Sequence, residues 1–346
     1  MSEGDLRRVV VTRRIYPRLI DELRSAYALA DNQDDVPLCS AELARRLADA
    51  DGALIAAGER VDDTLLAACP HLKVVANVAV GYNNLDLAAC TRHGVMATNT
   101  PDVLNETTAD HGFALLLAAA RRIGESERWL RAGHWKRWAF DMFPGADLHG
   151  STLGIVGMGR IGRAIARRAA GFSMRVVYHN RTRLPAGEEG GATWLAKEDL
   201  LGQADHVILM VPYSPATHHL IGAAELALMK PTAVLVNLAR GGVVDDAALI
   251  RALRDGRLAA AGLDVFEGEP QLNPGFLELE NVVMTPHIAS STRATREAMA
   301  RLAMRNLGEA LAGRRRCSIR TCGNIAAAER KGSCRCRRSG TSASTT

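Results

Sequence analysis

Three short segments, far apart in the chain, carry the side chains best suited to chemistry. The first is Asn237-Leu238-Ala239-Arg240-Gly241-Gly242, where an arginine is held against two glycines. A guanidinium so placed lies close to the backbone and can present its fork of N–H donors to a carboxylate. Read alone, the stretch is equally a surface arginine in a glycine turn. The second is Asp264-Val265-Phe266-Glu267-Gly268-Glu269-Pro270. Asp264 directly follows an apolar strand pattern, and Glu269 stands before a proline that holds its backbone extended. Acidic loops are common, so these carboxylates gain meaning only from a partner. The third segment, Met284-Thr285-Pro286-His287, supplies one, a histidine just past a strand-ending proline. A lone histidine is more often structural, but imidazole is also the side chain best matched to proton transfer near neutral pH. A carboxylate on its other ring nitrogen would fix the tautomer and favour the protonated form, and Glu269 is the candidate.

What would demand that proton is indicated upstream. In Thr152-Leu153-Gly154-Ile155-Val156-Gly157-Met158-Gly159-Arg160-Ile161-Gly162 an apolar strand runs straight into a Gly-x-Gly-x-x-Gly turn. A helix pattern (Ile161, Ile165, Ala169) follows at once. That context turns a weak glycine pattern into a phosphate-binding turn. Gly157 permits the tight turn, Gly159 lets a pyrophosphate approach the backbone, and Gly162 allows close packing of helix on strand. Arg160 and Ile161 open the helix whose N-terminus attracts the anion. A dinucleotide bound there could pass a hydride to a ketone. The developing alkoxide would take its proton from His287, and Asp264 could contact the nicotinamide end.

The choice between dinucleotides is read about 20 residues after the glycines, where an acidic residue would bond a ribose 2′-hydroxyl. Here the strand Arg175–Tyr178 ends in His179-Asn180-Arg181-Thr182-Arg183, which offers guanidinium, hydroxyl and amide groups but no carboxylate. An acid would repel a 2′-phosphate, and arginine would hold it. NADP(H) is therefore expected, with NAD possible, and Asn180, Arg181 and Thr182 are candidate contacts. The bland alternative is a solvated basic loop.

The elements that must position these groups follow from periodicity. Strands are expected at residues 8–12, 52–56, 72–76 and 95–98, and helices at 17–25, 41–48 and 63–68. A long Ala/Leu-rich helix, 105–122, leads into the unit that begins at Thr152. The strands of that unit are 175–178, 206–211, 233–237, 259–263 and 282–284, with helices between them and a last helix at 291–311. Strands separated by helices imply parallel sheets covered on both faces. The fold class is thus α/β with two doubly wound parallel-sheet domains. The expected division is 1–104 with 287–313 for a discontinuous substrate domain and 105–286 for the dinucleotide-binding domain. An atypical, disordered tail takes 314–346.

Composition narrows the field. Hydrophobic residues make up 47% and the mean hydropathy is near zero. No long apolar run or secretory leader is visible, so a cytoplasmic protein without a membrane partner is expected. The tail's local balance of +8, taken from the chain's +5, leaves the first 313 residues at −3. The body thus gives no reason to expect a nucleic-acid partner. Cys39, Cys69 and Cys90 read as small apolar residues in a reducing compartment. The tail's Cys317, Cys322, Cys334 and Cys336 lack the spacing of a zinc site, and no metal is expected.

Taken together, Gly157-x-Gly159-x-x-Gly162, Ala239-Arg240-Gly241, Gly262-Leu263-Asp264-Val265-Phe266, Glu269-Pro270 and Thr285-Pro286-His287 resemble the D-isomer-specific 2-hydroxyacid dehydrogenases. Residues 106–115 and the Trp-rich stretch before Gly150 look like the glyoxylate/hydroxypyruvate reductase branch, which includes 2-ketogluconate reductases. The resemblance covers roughly residues 8 to 312, and the tail departs from it. It implies a Rossmann domain inserted in a flavodoxin-like domain and reduction of small 2-keto acids by NADPH. It also implies that Arg240 binds the substrate carboxylate, His287 is the acid/base and Glu269 orients it. Val80 and Gly81 would hold the carboxylate through backbone N–H groups. Thr108, Pro212, Thr217, Ala239 and Asp264 would line the cofactor. A homodimer is implied, with Trp138 reaching the partner's site. Two competitors are a corepressor-like dinucleotide sensor and a phosphoglycerate dehydrogenase. The intact Arg240, Glu269 and His287 set argues against the first, and the lack of a following regulatory domain argues against the second.

Overall fold

A computed structural model describes residues 6–314 and 319 of the chain. They fall into two compact units. The first takes the described residues among 1–78, 84–99 and 303–346, and the second takes Ala79–Asn83 and Thr100–Leu302.

The first unit is built on strands β1 (Arg8–Val11), β2 (Ala28–Asp31), β3 (Gly52–Ile55), β4 (Val74–Asn77) and β5 (Met96–Thr98). They lie in the order β2-β1-β3-β4-β5, all neighbours parallel. Every residue of β3 and β4 is buried, as expected of central strands covered on both faces. Helix α1 (Pro17–Ala26) starts with proline at its first turn and buries Leu19, Ile20 and Leu23. Helix α2 spans Ser40–Leu47. The Asp62 carboxylate caps α3 (Asp63–Ala67), and Asp86 caps α4 (Leu87–Arg92). Cys69 and Cys90 are buried thiols that burial pushes upward in pKa, Cys90 to about 11.

The second unit opens with α5 (Asn105–Ala120) and α6 (Ile123–Arg131). Its seven strands are β6 (Thr152–Val156), β7 (Arg175–His179), β8 (Thr193–Trp194), β9 (His206–Leu209), β10 (Val234–Asn237), β11 (Ala260–Leu263) and β12 (Val282–Met284). The order is β12-β11-β10-β9-β6-β7-β8, again parallel throughout. The chain thus reverses its direction of winding between β6 and β9, the switch point where such sheets gather ligands. Helices α7 (Arg160–Ala170), α8 (Lys197–Gln203), α9 (Ala223–Leu228) and α10 (Asp246–Arg254) connect the strands. Alternate strand residues feed two cores. Val207, Leu209 and Leu235 pack toward α8–α10, whereas Ile208, Val234 and Val236 pack with α5 and α7. The last helix, α11 (Arg293–Leu311), begins in the second unit and ends in the first.

The two doubly wound parallel sheets are those expected, a flavodoxin-like order and a Rossmann order. Four elements escape sequence patterning. β2 reads Ala-Leu-Ala-Asp, a half-exposed edge without a β-branched residue. β8 has only two residues, α4 only six, and α6 buries none of its side chains. Residues 79–83, 100–104 and 287–302 are expected with the first domain but cluster with the second unit. The Asp264 side chain holds the amides of Ile288 and Ala289, and Thr107 bonds Thr295 at 2.5 Å. Apart from Arg314 and Ile319, the tail expected to be disordered lies outside the described residues. No helix among those described is long and apolar enough to cross a membrane.

Candidate active site

The glycine turn leaves β6 with the geometry its spacing predicts. Gly157 has φ +105°, and a Cβ there would lie 2.6–2.9 Å from the Met210–Val211 backbone. A Cβ at Gly162 would sit 2.4 Å from the Gly157 carbonyl oxygen, so helix and strand pack through this glycine. At Gly159, the residue before α7, a Cβ would meet nothing within 4 Å, which leaves that backbone open to an approaching anion. A dinucleotide therefore fits the turn. Arg160 is ion-paired with Asp102 at 3.1 Å, and Ile161 is half-buried against the α5–α7 core.

The basic loop after β7 divides its labour. Arg183 bonds both oxygens of Glu189, at 2.8 and 3.2 Å, and Glu189 also takes the Tyr178 hydroxyl at 2.9 Å. Arg181 and Thr182 are exposed. Among the described residues Arg181 has no ion pair. Asn180 spends its side-chain oxygen on the Met158 amide at 2.7 Å, so it braces the turn itself. After β9, the Thr217 hydroxyl donates to the Pro212 carbonyl and accepts from Ser214 N, both at 2.8 Å, which fixes a tight loop. Thr108 is buried on α5, and Ala239 is buried beside Arg240.

Past the ends of β10, β11 and β12 the structure brings the other candidates together. His287 Nδ1 lies 2.6 Å from Glu269 Oε1, a charge-assisted distance. The Glu269–Pro270 peptide is cis. Burial pushes the Glu269 carboxyl upward in pKa, but its bond to His287, with help from the Phe266 amide and the Arg240 charge, holds it below its ordinary value. The Arg240 guanidinium donates to Ala239 O at 2.8 Å and to Asn83 Oδ1 at 3.4 Å. Its burial lowers its pKa against the opposing pull of Glu269 and Asp264. A Cβ at Gly81 would come within 1.9 Å of Arg240 Nη2, so glycine is what lets the guanidinium lie on that backbone. Val80 belongs to the same segment of the second unit.

Asp264 is 1% exposed and accepts from Thr285 Oγ1, Ile288 N and Ala289 N at 2.7, 2.7 and 2.8 Å. Burial alone would raise its pKa, but these bonds and His111 outweigh it and hold the carboxyl below its usual range. His287 adopts φ +53°, rare for a residue with a side chain, and its own N–H donates to Asp264 O at 2.9 Å. Asp264 thus buttresses the histidine turn from beneath. Patterning did not single out Asn83, Thr285 or His111. The one available signal for His111 is an imidazole in an otherwise Ala/Leu-rich helix. Where no metal is expected, His218, His219 and Glu267 form an exposed group with ligand atoms within 4.8 Å of one another. The His219 and Glu267 side chains already pair at 3.1 Å, and Tyr213 bonds His218 at 3.2 Å.

A glycine turn and an Arg/Glu/His cluster at the carboxyl ends of one parallel sheet define a dinucleotide-dependent oxidoreductase. Residues 113–289 match the family described as D-isomer specific 2-hydroxyacid dehydrogenase, NAD binding domain. A glyoxylate reductase from Thermococcus onnurineus is 48% identical over 305 residues, covering 87% of this chain and 91% of that protein. Among solved structures, a glyoxylate reductase from Paecilomyes thermophila has TM-score 0.82 and 33% identity, covering 91% of this chain and 98% of that one. The NADPH-dependent glyoxylate/hydroxypyruvate reductase of Sinorhizobium meliloti, in complex with NADP and malonate, has TM-score 0.80 and 36% identity. That match covers 88% of this chain and 93% of the other. The chain belongs to the D-isomer specific 2-hydroxyacid dehydrogenase family. It is an NAD(P)-dependent enzyme, which sets aside the sensor reading.

Proposed function

We propose that the protein is an NADPH-dependent glyoxylate reductase, giving glycolate, that also accepts hydroxypyruvate and the bulkier 2-ketogluconate, each of these two reduced to its D-2-hydroxy acid. The observation that carries the reading is the 2.6 Å pair of His287 and Glu269 on the same sheet edge as the half-buried Arg240. The similarity to glyoxylate reductases supports the substrate class.

When bound, the reduced nicotinamide supplies the hydride to the carbonyl carbon. Arg240, lying over Gly81, holds the substrate carboxylate and keto oxygen, and the backbone N–H groups of Val80 and Gly81 complete that grip. His287 delivers a proton to the oxygen from Nε2, because Nδ1 is committed to Glu269. The Glu269 carboxylate stabilises the charged ring before transfer, and solvent returns the Nε2 proton to the half-exposed imidazole afterwards. Asp264 sits by the nicotinamide. Gly157, Gly159, Arg160, Ile161 and Gly162 cradle the pyrophosphate, with Arg160 released from Asp102 to do so. Thr108, Pro212, Thr217 and Ala239 line the rest of the cofactor. Arg181 and Thr182 grip the 2′-phosphate, and Asn180 supports them by bracing the turn.

The second unit is then the cofactor domain and the first the substrate domain, except that the substrate-holding segment Ala79–Asn83 clusters with the second unit. The exposed Ile123, Leu130, Trp135, Trp138 and Phe140 would be covered in a homodimer, with Trp138 close to the partner's site. Initial rates with glyoxylate, hydroxypyruvate and 2-ketogluconate, each with NADPH and NADH, test the proposal. Fastest turnover is expected with glyoxylate and NADPH. Absence of turnover with every pair would overturn it.

A further inference from the structure

His111 lies on α5 with 18% of its side chain exposed, and its Nε2 is 3.0 Å from Thr285 Oγ1 and 3.5 Å from Asp264 Oδ1. The direction of these bonds can be deduced. Asp264, held below its usual pKa range, is ionised and can only accept. Thr285 has one proton and gives it to Asp264 Oδ1 at 2.7 Å. Its oxygen can therefore only accept from the ring, so His111 Nε2 carries a hydrogen. On the far side, the same carboxylate accepts the amides of Ile288 and Ala289, the two residues that follow His287. A continuous chain of hydrogen bonds thus runs from α5 through Thr285 to the Asp264 carboxylate, which also accepts from the left-handed turn that bears the histidine.

We propose that His111 is a positioning residue for His287: its Nε2–H, relayed by the Thr285 hydroxyl, sets the orientation in which Asp264 clamps the 287–289 turn. The inference rests on reading His287 as the proton donor. A buried network is sensitive to losing one member, because the remaining groups re-aim to satisfy themselves. Rotation of the Asp264 carboxylate would shift the two amides and with them the imidazole, and small misplacements of a reacting group are costly.

The test compares His111→Leu, which keeps bulk without a donor, with His111→Gln, whose amide N–H can reach the Nε2 position. In the leucine variant kcat with glyoxylate and NADPH should fall about tenfold, or ~1.4 kcal/mol. The glyoxylate KM and the NADPH Kd should stay within about twofold, since neither ligand loses a contact. The glutamine variant should recover most of the loss. Thr285→Val should add little to His111→Leu, because both cut one relay. Amide exchange in the 285–290 segment should quicken in the leucine variant and stay near wild type in the glutamine variant. Wild-type kcat and exchange in His111→Leu would overturn the proposal, as would equal damage in both variants or a lowered Tm alone. His287→Asn serves as the control. If it keeps full turnover, the reading of His287 fails, and the exchange data still decide whether His111 clamps the turn.

Discussion

Gly81→Ala is the substitution whose consequence the structure sets most directly. A Cβ at position 81 would lie 1.9, 2.7 and 3.1 Å from Nη2, Cζ and Nε of Arg240. An ordinary contact begins near 3.4 Å, so Nη2 must retreat by about 1.5 Å. The atoms displaced are the far end of a flexible side chain, and Gly81 is not among the left-handed glycines, so the fold should survive. Misplacing a substrate-holding group by ~1 Å costs on the order of 100-fold, about 2.7 kcal/mol. We therefore expect kcat/KM for glyoxylate to fall about 100-fold, mostly through KM. The NADPH Kd and the urea midpoint should change little. NADPH oxidation followed by absorbance gives the first quantity, and fluorescence titration gives the second. A kcat/KM within threefold of wild type would mean that the guanidinium does not hold the substrate where it lies against Gly81.

Glu269→Gln should lower kcat about 10- to 100-fold, the equivalent of a charge-assisted bond of ~1.5–3 kcal/mol, and leave NADPH affinity intact; a kcat within twofold would show that the pair is not used. Arg181→Ala should raise the NADPH KM at least about tenfold, or ~1.4 kcal/mol, and leave NADH untouched, whereas Arg183→Ala, removing a guanidinium already held by Glu189, should change it less. Equal effects of the two would contradict that division. Asp246 is buried, and burial pushes its pKa from 3.8 up to about 6. Below 3.8 both states hold the proton; as pH rises toward 6 the unfolded chain ionises first, so stability is lost across that window. Asp246→Asn keeps an acceptor for the Glu267 amide and should match wild type near the acid end, yet be more stable at pH 8 by up to about 3 kcal/mol in urea unfolding.

Much of this was legible because the informative signals are local. Each chemistry-bearing segment abuts an apolar run, and a parallel sheet delivers all such strand ends to one edge. Gly157, Arg240, Glu269 and His287 could therefore be placed in one neighbourhood from strand endings alone. The misses arise where the deciding partner is distant or the element is too short for a period. β8 and α4 contain too few residues to repeat a pattern, and β2 is held by backbone pairing with β1 rather than by its side chains. His111 and Thr285 meet across 174 residues of chain, so nothing near His111 announces its partner. Arg181, one of the expected contacts, and Arg183 look alike in sequence, and only the Glu189 carboxylate bonded to Arg183 tells them apart. The unit boundaries moved for a similar reason, since Asp264 draws the residues after His287 to the second unit.

The most direct measurement is a single-turnover reaction of glyoxylate with stoichiometric NADPH, in wild type and in His287→Asn. Loss of the proton donor should slow reduction by at least about 1,000-fold while NADPH binds with unchanged affinity. Reduction at the wild-type rate without that imidazole would contradict the chemistry assigned to Arg240, Glu269 and His287.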